Sequence, residues 1–192
     1  MTEKDVLAIF LKTDALLEGH FLLTSGRHSN QYFQCAKILQ YPEYTSVVCS
    51  ILSDHYKSFE IDTVIAPAMG GIIVGYEVAR QLSKKSIFTE RENNIMTLRR
   101  GFSLSENEKV LVCEDVVTTG GSVFEVIEIV KNSGAEVIGV ASIVDRSNGK
   151  VDFGYPFKSS LKLEVVSYTE IECPLCKENK LPLVKPGSRK VN

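Results

Sequence analysis

The chain has 192 residues, a length typical of one domain, and its 44% hydrophobic and 24% charged residues are close to the average for soluble globular proteins. This composition excludes a disordered chain, a collagen-like chain and a coiled coil. A formal net charge of −2 gives no general attraction to nucleic acid or to an anionic membrane, so any bound polyanion must be held by a local site.

The sequence shows no targeting or membrane signal. No segment reaches the ~18 uninterrupted apolar residues that a membrane helix needs. The first 20 residues carry charges throughout, instead of the apolar block of a signal peptide. Five cysteines, an odd number in a chain of this length, indicate reduced and buried thiols. We therefore predict a cytoplasmic protein with no membrane partner.

Helices and strands alternate along most of the chain. Apolar spacing predicts helices over residues 2–17, 43–57, 70–82 and 120–132. Short apolar or β-branched runs predict strands at residues 21–24, 31–35, 63–66, 86–89, 109–113 and 136–144. This alternation favours an α/β fold with a mostly parallel central sheet flanked by helices. Residues 172–192 contain three prolines and no periodicity, so an extended C-terminal tail is predicted.

The junction after the predicted strand at residues 109–113 is unusual. Glu114 and Asp115 leave the strand end, and a turn rich in threonine and glycine leads into a helix. The backbone N–H groups of such a turn and the positive end of the helix favour a bound phosphate. An anion on the turn beside two carboxylates suits a ligand with phosphate and sugar hydroxyls. Each charge-assisted hydrogen bond to a hydroxyl stabilises by about 1.5–3 kcal/mol.

Two familiar nucleotide-binding patterns are missing. The sequence contains no G-x-G-x-x-G, and Gly70 and Gly75 have the spacing of a P-loop but are followed by Tyr76-Glu77 instead of Lys-Ser/Thr. Dinucleotide binding and ATP hydrolysis are therefore disfavoured.

Residues 110–122 (VLVCEDVVTTGGS) resemble the phosphoribosyl-diphosphate-binding motif of the type I phosphoribosyltransferases, which consists of an apolar strand, two acidic residues and a Thr-Gly-rich loop. Within this family, the residues of the motif are most similar to those of the branch that acts on orotate. Further stretches that resemble this branch are residues 21–29 (FLLTSGRHS), 90–92 (ERE), 98–102 (LRRGF), 145–146 (DR) and the CPLC…KPGSR ending. The resemblance covers the chain from about residue 10 to about residue 189.

The resemblance implies a type I phosphoribosyltransferase fold as a single domain over residues 1–192. Residues 1–35 would contribute to a small N-terminal hood over the base, residues 90–108 would form a mobile loop, and residues 172–192 would form the tail. The implied reaction transfers the 5-phosphoribosyl group from 5-phosphoribosyl 1-diphosphate (PRPP) to orotate. Its products are orotidine 5′-phosphate and pyrophosphate, in UMP biosynthesis. Mg²⁺ is the implied cofactor, and a homodimer with shared active sites is implied by resemblance alone.

The resemblance also implies roles for individual residues. The PRPP-binding residues would be Met69, Gly70, Glu114, Asp115, Val116, Val117, Thr118, Thr119, Gly120, Gly121 and Ser122. Orotate would contact Thr118, Arg146, Tyr32 and Phe33. The catalytic residues would be Asp115, Arg91, Arg99 and Arg100.

The chain departs from better-known members of the family at three places. Thr24 stands where they often have lysine, Met69-Gly70 stands where they often have Tyr-Lys, and residues 93–108 contain no histidine. The charge of pyrophosphate must then be met mainly by the three arginines of residues 90–108. An adjacent arginine pair suits a diphosphate, although one arginine of the pair facing solvent is an equal alternative.

Two other functions stay open. One is a phosphoribosyltransferase for another nucleobase, but an arginine at position 146 favours an acidic base over a neutral purine. The other is a PRPP-sensing regulator that binds nucleic acid. The sequence shows no basic stripe or added domain, so we expect no nucleic-acid partner.

The motif Cys173-Pro-Leu-Cys176 has no second cysteine pair, and it precedes a proline-rich tail instead of opening a helix beside a βαβ unit. We therefore expect packing or an adventitious disulfide there, and no metal site built from protein side chains. Of the three histidines, only His28 is expected near the substrate.

Overall fold

A computed structural model describes residues 2–23, 26–164 and 166–186 of the chain. The helices are α1 (Glu3–Lys12), α2 (Ala36–Leu39), α3 (Pro42–Tyr56), α4 (Gly70–Leu82), α5 (Gly121–Asn132) and α6 (Pro174–Glu178). The strands are β1 (Leu16–Leu22), β2 (His28–Phe33), β3 (Thr63–Pro67), β4 (Lys85–Glu92), β5 (Ile95–Leu98), β6 (Lys109–Val117), β7 (Glu136–Asp145), β8 (Phe157–Lys162) and β9 (Leu183–Val184).

The strands form two sheets. The larger sheet has the order β5-β4-β3-β6-β7-β8, and all its neighbouring pairs are parallel except β4 with β5. The smaller sheet has the order β2-β1-β9. The predicted α/β fold with a mostly parallel sheet is confirmed.

The central strands are buried on both faces. Successive side chains of a strand point to opposite faces, so the continuous apolar runs of β3 and β6 supply two cores. Leu111 and Cys113 pack with α3 and α4 on one face. Val110 and Val112 pack with α5 on the other face. Helices on both faces leave the ends of the strands as the accessible part of this sheet.

The first helix is shorter than its apolar spacing predicts. The prediction of a helix over residues 2–17 is wrong after Lys12, because the chain turns at Asp14 with a φ of 53°. The hydroxyl of Thr13 donates to the carbonyl oxygen of Ile9 at 2.8 Å, and the N–H of Ala15 donates to that of Phe10 at 2.9 Å, which closes the helix end. The apolar residues that follow belong to β1.

Three strands were not predicted from the sequence. The hairpin of β4 and β5 turns at Asn93 and Asn94, both with positive φ, a conformation that asparagine adopts more readily than most residues. The strand β8 was not predicted because its sequence, FKSSLK, is largely polar, although Ser159, Ser160 and Leu161 are buried. The tail, predicted to be extended, contains α6, and β9 pairs in parallel with β1.

Parts of two predictions lie outside the described residues: Thr24, at which the chain departs from the family, and residues 187–192 of the tail. No helix among the residues that the structure describes has the length and apolar character required to cross a lipid bilayer.

Tyr56, at the end of α3, connects this helix to the larger sheet through its hydroxyl group. Its hydroxyl lies 2.8 Å from the carbonyl oxygen of Val140 and 2.9 Å from that of Pro156, and the whole side chain is buried. A side chain at Gly139 would place its Cβ 2.7 Å from the Tyr56 ring, so the strand passes directly over the phenol.

We expect Tyr56→Phe to lower the free energy of unfolding by about 1–2 kcal/mol, because it removes a buried hydrogen bond between α3 and the larger sheet. Urea unfolding followed by circular dichroism measures this change. The exposed Tyr41 gives the matched control, since Tyr41→Phe removes a hydroxyl from solvent and should change stability by less than about 0.5 kcal/mol. Equal stabilities of the two variants would contradict the prediction.

Candidate functional site

Three parallel strands end at one edge of the larger sheet. The strand β3 ends at Pro67, β6 ends at Val117 and β7 ends at Asp145. The backbone N–H of Arg146 donates to the carbonyl oxygen of Val117 at 2.8 Å, which joins the ends of β6 and β7. Ligands of open α/β sheets gather at this edge, and the two stretches that contain the predicted PRPP-binding residues, 69–70 and 114–122, both lie at it.

The loop between β6 and α5 forms a polar cavity. Gly120 has a φ of 76°, and a Cβ there would lie 2.8 Å from the ring of Phe153, so the close turn requires glycine. The turn directs the start of the 12-residue helix α5 toward a cavity of about 230 Å³. The cavity is lined by Arg91, Glu114, Val116, Val117, Thr118, Thr119, Gly120, Gly121, Ser122, Val123 and Glu125. Backbone N–H groups, hydroxyls and the helix end make this cavity suitable for a phosphate.

Glu114 and Asp115 lie beside this cavity at the end of β6. The Glu114 carboxylate accepts a hydrogen bond from the N–H of Asp115 at 2.9 Å, and that of Asp115 accepts one from the N–H of Val116 at 2.8 Å. Burial, and secondly the negative charge of Asp115, raises the pKa of Glu114 well above its usual range. At neutral pH the Glu114 carboxyl therefore keeps a proton that it can donate in a hydrogen bond.

The loop between β3 and α4 lies against these carboxylates. A Cβ at Gly70 would lie 2.1 Å from Oδ2 of Asp115, so the observed position of this carboxylate requires glycine at position 70. The peptide bond between Ala68 and Met69 is cis. The Met69 side chain is 82% exposed and, with Gly70, borders a second, more apolar cavity of about 330 Å³ beside α2.

Arg146 follows β7 at the same edge. Its Nε is buried and has no hydrogen-bond partner among the residues that the structure describes. The guanidinium carbon lies 5.4 Å from the centre of the Phe33 ring, and burial lowers the pKa of Arg146. A buried, unsatisfied N–H of a cation is costly unless an anion binds there, so Arg146 is suited to a carboxylate ligand.

The two predicted aromatic neighbours of the base differ in their surroundings. Phe33 packs against Phe10, with ring centres 6.4 Å apart, and lies under Arg146. Tyr32 packs against Phe21, with ring centres 5.8 Å apart. Adjacent residues of a strand point to opposite faces, so the two rings cannot present the same face to one ligand.

The predicted arginines of residues 90–108 are all paired with carboxylates. Arg91 reaches Glu125 at 2.6 Å on the wall of the phosphate cavity. Arg100 binds Glu90 through two nitrogens at 2.8 and 3.1 Å, and Arg99 lies 3.3 Å from Glu92. Arg91 is therefore the one of the three that lines the cavity.

Sequence reasoning missed two features of this edge. Glu125 pairs with Arg91 at the cavity, and its position four residues after Gly121 could have placed it one turn along α5, on the same face as Gly121. His28 is not beside the cavity but faces His20 and the cysteines of the CPLC motif. About 150 residues of sequence separate these cysteines from the histidines, and nothing in the local sequence predicts their contact.

The family comparisons agree with this geometry. Residues 35–174 match the phosphoribosyl transferase domain family. The fold is similar to that of the orotate phosphoribosyltransferase of Aeropyrum pernix, with a TM-score of 0.72, 26% identity, and coverage of 82% of this chain and 93% of that one. It is also similar to the adenine phosphoribosyltransferase of Thermoanaerobacter pseudethanolicus, with a TM-score of 0.61, 16% identity, and coverage of 69% and 88%. The fold and the site thus define a phosphoribosyltransferase.

A curated relative shows which family of phosphoribosyltransferases the chain belongs to. The orotate phosphoribosyltransferase of Caldanaerobacter subterraneus subsp. tengcongensis is 59% identical over 191 residues, which cover 100% of both chains. The chain belongs to the orotate phosphoribosyltransferase family of transferase enzymes.

The raised pKa of Glu114 predicts a stability that falls with pH. The folded chain keeps a proton on Glu114 at pH values at which the unfolded chain, with a pKa of about 4.3, has released it. The contribution is fully present below the unfolded pKa and is lost as the pH rises toward the folded pKa. Glu114→Gln should therefore flatten the decline in unfolding free energy between about pH 5 and 8, by at most about 1.4 kcal/mol per pH unit. Urea unfolding at a series of pH values measures the slope.

Glu77 provides a control, because its pKa is shifted in the direction opposite to that of Glu114. The hydrogen bonds of Arg80 and Gln81 lower the pKa of Glu77 to about 2, although burial acts against them. Glu77→Gln should reduce stability at neutral pH but leave the slope between about pH 5 and 8 as in the wild type, because this group is ionised in both states there. An unchanged slope in Glu114→Gln would contradict the assignment.

Proposed function

We propose that the chain transfers the 5-phosphoribosyl group from PRPP to orotate, giving orotidine 5′-phosphate and pyrophosphate, in UMP biosynthesis. The observation that carries this proposal is the position of Arg146. Its buried, unsatisfied Nε lies at the same sheet edge as the phosphate cavity and the Glu114–Asp115 pair. A phosphate site, a sugar site and a site for an acid thus adjoin one another.

PRPP is assigned to the loop of residues 114–122 and to the loop that contains Met69 and Gly70. The turn and the start of α5 bind the 5-phosphate, as the N-terminus of a helix favours. The hydroxyls of the ribose bind Glu114 and Asp115, because the raised pKa of Glu114 leaves it a proton to donate and the carboxyl oxygens of Asp115 can accept. This arrangement fixes the sugar beside the loop.

Orotate is assigned to the space beside Arg146 and Thr118, on the face of β2 that Phe33 occupies, and Tyr32, on the opposite face of that strand, is left out of the assignment. Arg146 binds the carboxylate, and Phe33 supports the guanidinium from below. We assign the hood to the small sheet β2-β1-β9, because its strand β2 ends at Phe33, beside the proposed orotate site. We extend the proposal to a single domain that includes this hood.

The reaction displaces pyrophosphate from C1 of the ribose by a ring nitrogen of orotate. Its transition state resembles an oxocarbenium ion, as in other glycosyl transfers. Orotate is an anion, so the protein needs no strong nucleophile, and catalysis comes from positioning and from charge. Asp115 stabilises the positive charge that develops near C1.

The departing pyrophosphate is assigned to Arg91, Arg99 and Arg100. Arg91 lines the cavity, whereas the other two bind Glu90 and Glu92 on the neighbouring hairpin. These exposed ion pairs are weak, so a diphosphate can exchange with the glutamates.

The site fits Mg²⁺ as the cofactor. Asp115 offers the oxygen ligands that Mg²⁺ prefers and is held in place by the N–H of Val116. Mg²⁺ bound there with the substrate's oxygens would neutralise the charge of pyrophosphate.

We further propose a homodimer. Met69, Ile73 and Tyr76 expose large apolar surfaces at helical spacing along the start of α4. Such a face, next to the loop that binds pyrophosphate, suits a second copy whose loop completes the site. The cytoplasmic location stays a prediction.

The direct test of the proposed reaction is the loss of orotate absorbance on mixing the chain with PRPP and Mg²⁺. Adenine, guanine, xanthine and uracil are tested in parallel by product chromatography. We expect turnover of orotate alone. Turnover of another base instead would favour the alternative transferase, and binding of PRPP without turnover of any base would overturn the enzymatic proposal. An RNA titration across a salt series then tests the regulator, because a true binder loses affinity steeply with salt.

Arg146→Ala should raise the KM for orotate by about 10- to 150-fold, because a charge-assisted hydrogen bond of about 1.5–3 kcal/mol is lost. The KM for PRPP should stay unchanged, since the loop of residues 114–122 is intact. The KM of Arg146→Lys for orotate should lie between those of the wild type and Arg146→Ala. Lysine keeps the positive charge but lacks the several N–H donors of the planar guanidinium group. Steady-state kinetics with each substrate varied in turn measure both constants.

The matched control is Arg80→Ala, which removes an exposed arginine that is paired with Glu77 on α4. It should leave the KM for orotate within about twofold of the wild type. A parallel rise in both KM values in Arg146→Ala would show a general distortion of the site and would contradict the specific role.

A further inference from the structure

Four side chains that bind transition metals converge outside the cavity. His20 lies in β1, His28 opens β2, and Cys173 and Cys176 lie at the start of α6. One ligand atom of each residue lies within 4.8 Å of all the others. His20, His28 and Cys173 are buried, and Cys176 is partly exposed. The expectation that the CPLC motif lacks partners overlooked two histidines from the hood.

The distances in this cluster are those of a tetrahedral centre. Nε2 of His20 lies 3.0 Å from Nδ1 of His28, 3.5 Å from Sγ of Cys173 and 3.6 Å from Sγ of Cys176. Sγ of Cys176 lies 3.2 Å from Nδ1 of His28. For tetrahedral zinc, with bonds of about 2.0–2.1 Å to nitrogen and 2.3 Å to sulfur, the nitrogens are about 3.3 Å apart and a nitrogen and a sulfur are about 3.6 Å apart.

Hydrogen bonds alone do not account for this cluster. Nε2 of His20 has three polar neighbours, but one ring nitrogen carries either one hydrogen or one lone pair. A cation at the centre accepts one lone pair from each of the four ligands. Both cysteines are free, so no disulfide occupies the place.

The surroundings of His20 have the form of a metal-ligand outer shell. Nδ1 of His20 lies 3.4 Å from the carbonyl oxygen of Leu181. A ligating histidine commonly donates its other N–H to a backbone carbonyl, which fixes the ring and leaves the lone pair on Nε2 directed at the metal.

We propose that His20, His28, Cys173 and Cys176 bind one Zn²⁺ ion in a closed, structural Cys₂His₂ site that fastens the tail to the hood. Two thiolates balance the charge of the ion, so the buried centre is neutral. Four protein ligands leave no open position for water or substrate, which distinguishes this centre from a catalytic one. Sulfur and imidazole ligands in tetrahedral geometry select zinc over Mg²⁺ or Ca²⁺.

The position of the site indicates what it stabilises. On one side of the CPLC motif, the backbones of His28 and Tyr168 exchange two hydrogen bonds of 2.8 Å. On the other side, β9 pairs with β1 through only two residues. A metal between these two short pairings holds the tail on the hood, where neither pairing is extensive. None of the four ligands lines the phosphate cavity, so the inference does not depend on the proposed reaction.

The test is the metal content of the full chain, produced without a histidine tag and purified without chelators. Inductively coupled plasma mass spectrometry should find about one zinc per chain. Treatment with a mercurial reagent should release that zinc to a colorimetric indicator, because the thiolates are ligands. Replacement by Co²⁺ should give the absorption of a tetrahedral, thiolate-bound cobalt.

Variants separate the ligands from other residues of the same type. Cys176→Ser should lower the retained zinc by at least about tenfold, and Cys176→His should keep more of it, since histidine is also a ligand. Cys49→Ser, at a buried cysteine of α3, and His55→Asn, at an exposed histidine, should keep the full zinc content. Trypsin digestion should cleave the tail faster in Cys176→Ser than in Cys49→Ser.

A wild-type chain without bound metal would overturn the proposal, as would a disulfide between Cys173 and Cys176 found by intact mass. Iron, copper or nickel in place of zinc, in protein from cells supplied with all of these metals, would overturn the assignment to zinc. Full zinc retention by a folded Cys176→Ser would show that the ion binds elsewhere. Because the wild-type content is measured directly, a variant that fails to fold leaves the proposal falsifiable.

Discussion

The close contact between Asp115 and Gly70 determines how this site is built. Both loops leave neighbouring parallel strands, and the missing side chain at position 70 lets one loop lie against the carboxylate that ends the other strand. A larger residue at position 70 would displace the Asp115 carboxylate or widen the space between the two loops. The buried sheet beneath them is rigid because its central strands pack on both faces, so the edge is held without help from a ligand.

The polar groups at this edge are kept in an unfavourable state by the fold. Glu114 is buried beside another carboxylate, and Arg146 has a buried N–H without a partner among the described residues. Each arrangement costs stability when no partner is bound, and the ligand proposed above, with its hydroxyls and its acid group, would relieve both costs.

The sequence predicted the parts of the protein whose signals are local. The run from Val110 to Ser122 defines a strand, an acidic pair and a phosphate turn within thirteen residues, and the structure places all of them at one edge. It did not predict β8, because Ser159 and Ser160 are polar but buried by contacts with distant segments. It also did not predict the partners of Cys173 and Cys176, because His20 and His28 approach only after the tail has crossed the hood. Contacts between the two ends of a chain leave no periodic pattern in either end.

The pairing of β1 with β9 has a consequence for biosynthesis. The strand β1 is synthesised before any strand of the larger sheet, whereas its parallel neighbour β9 is synthesised after all of them. Until β9 has been made, the hairpin of β1 and β2 therefore has one open edge and no tail over its histidines. The larger sheet can assemble as it is made, but the smaller sheet has to wait for a strand that is synthesised later than all of the larger sheet. Removal of β9 would leave the turn between β6 and α5 intact and would expose the edge of β1.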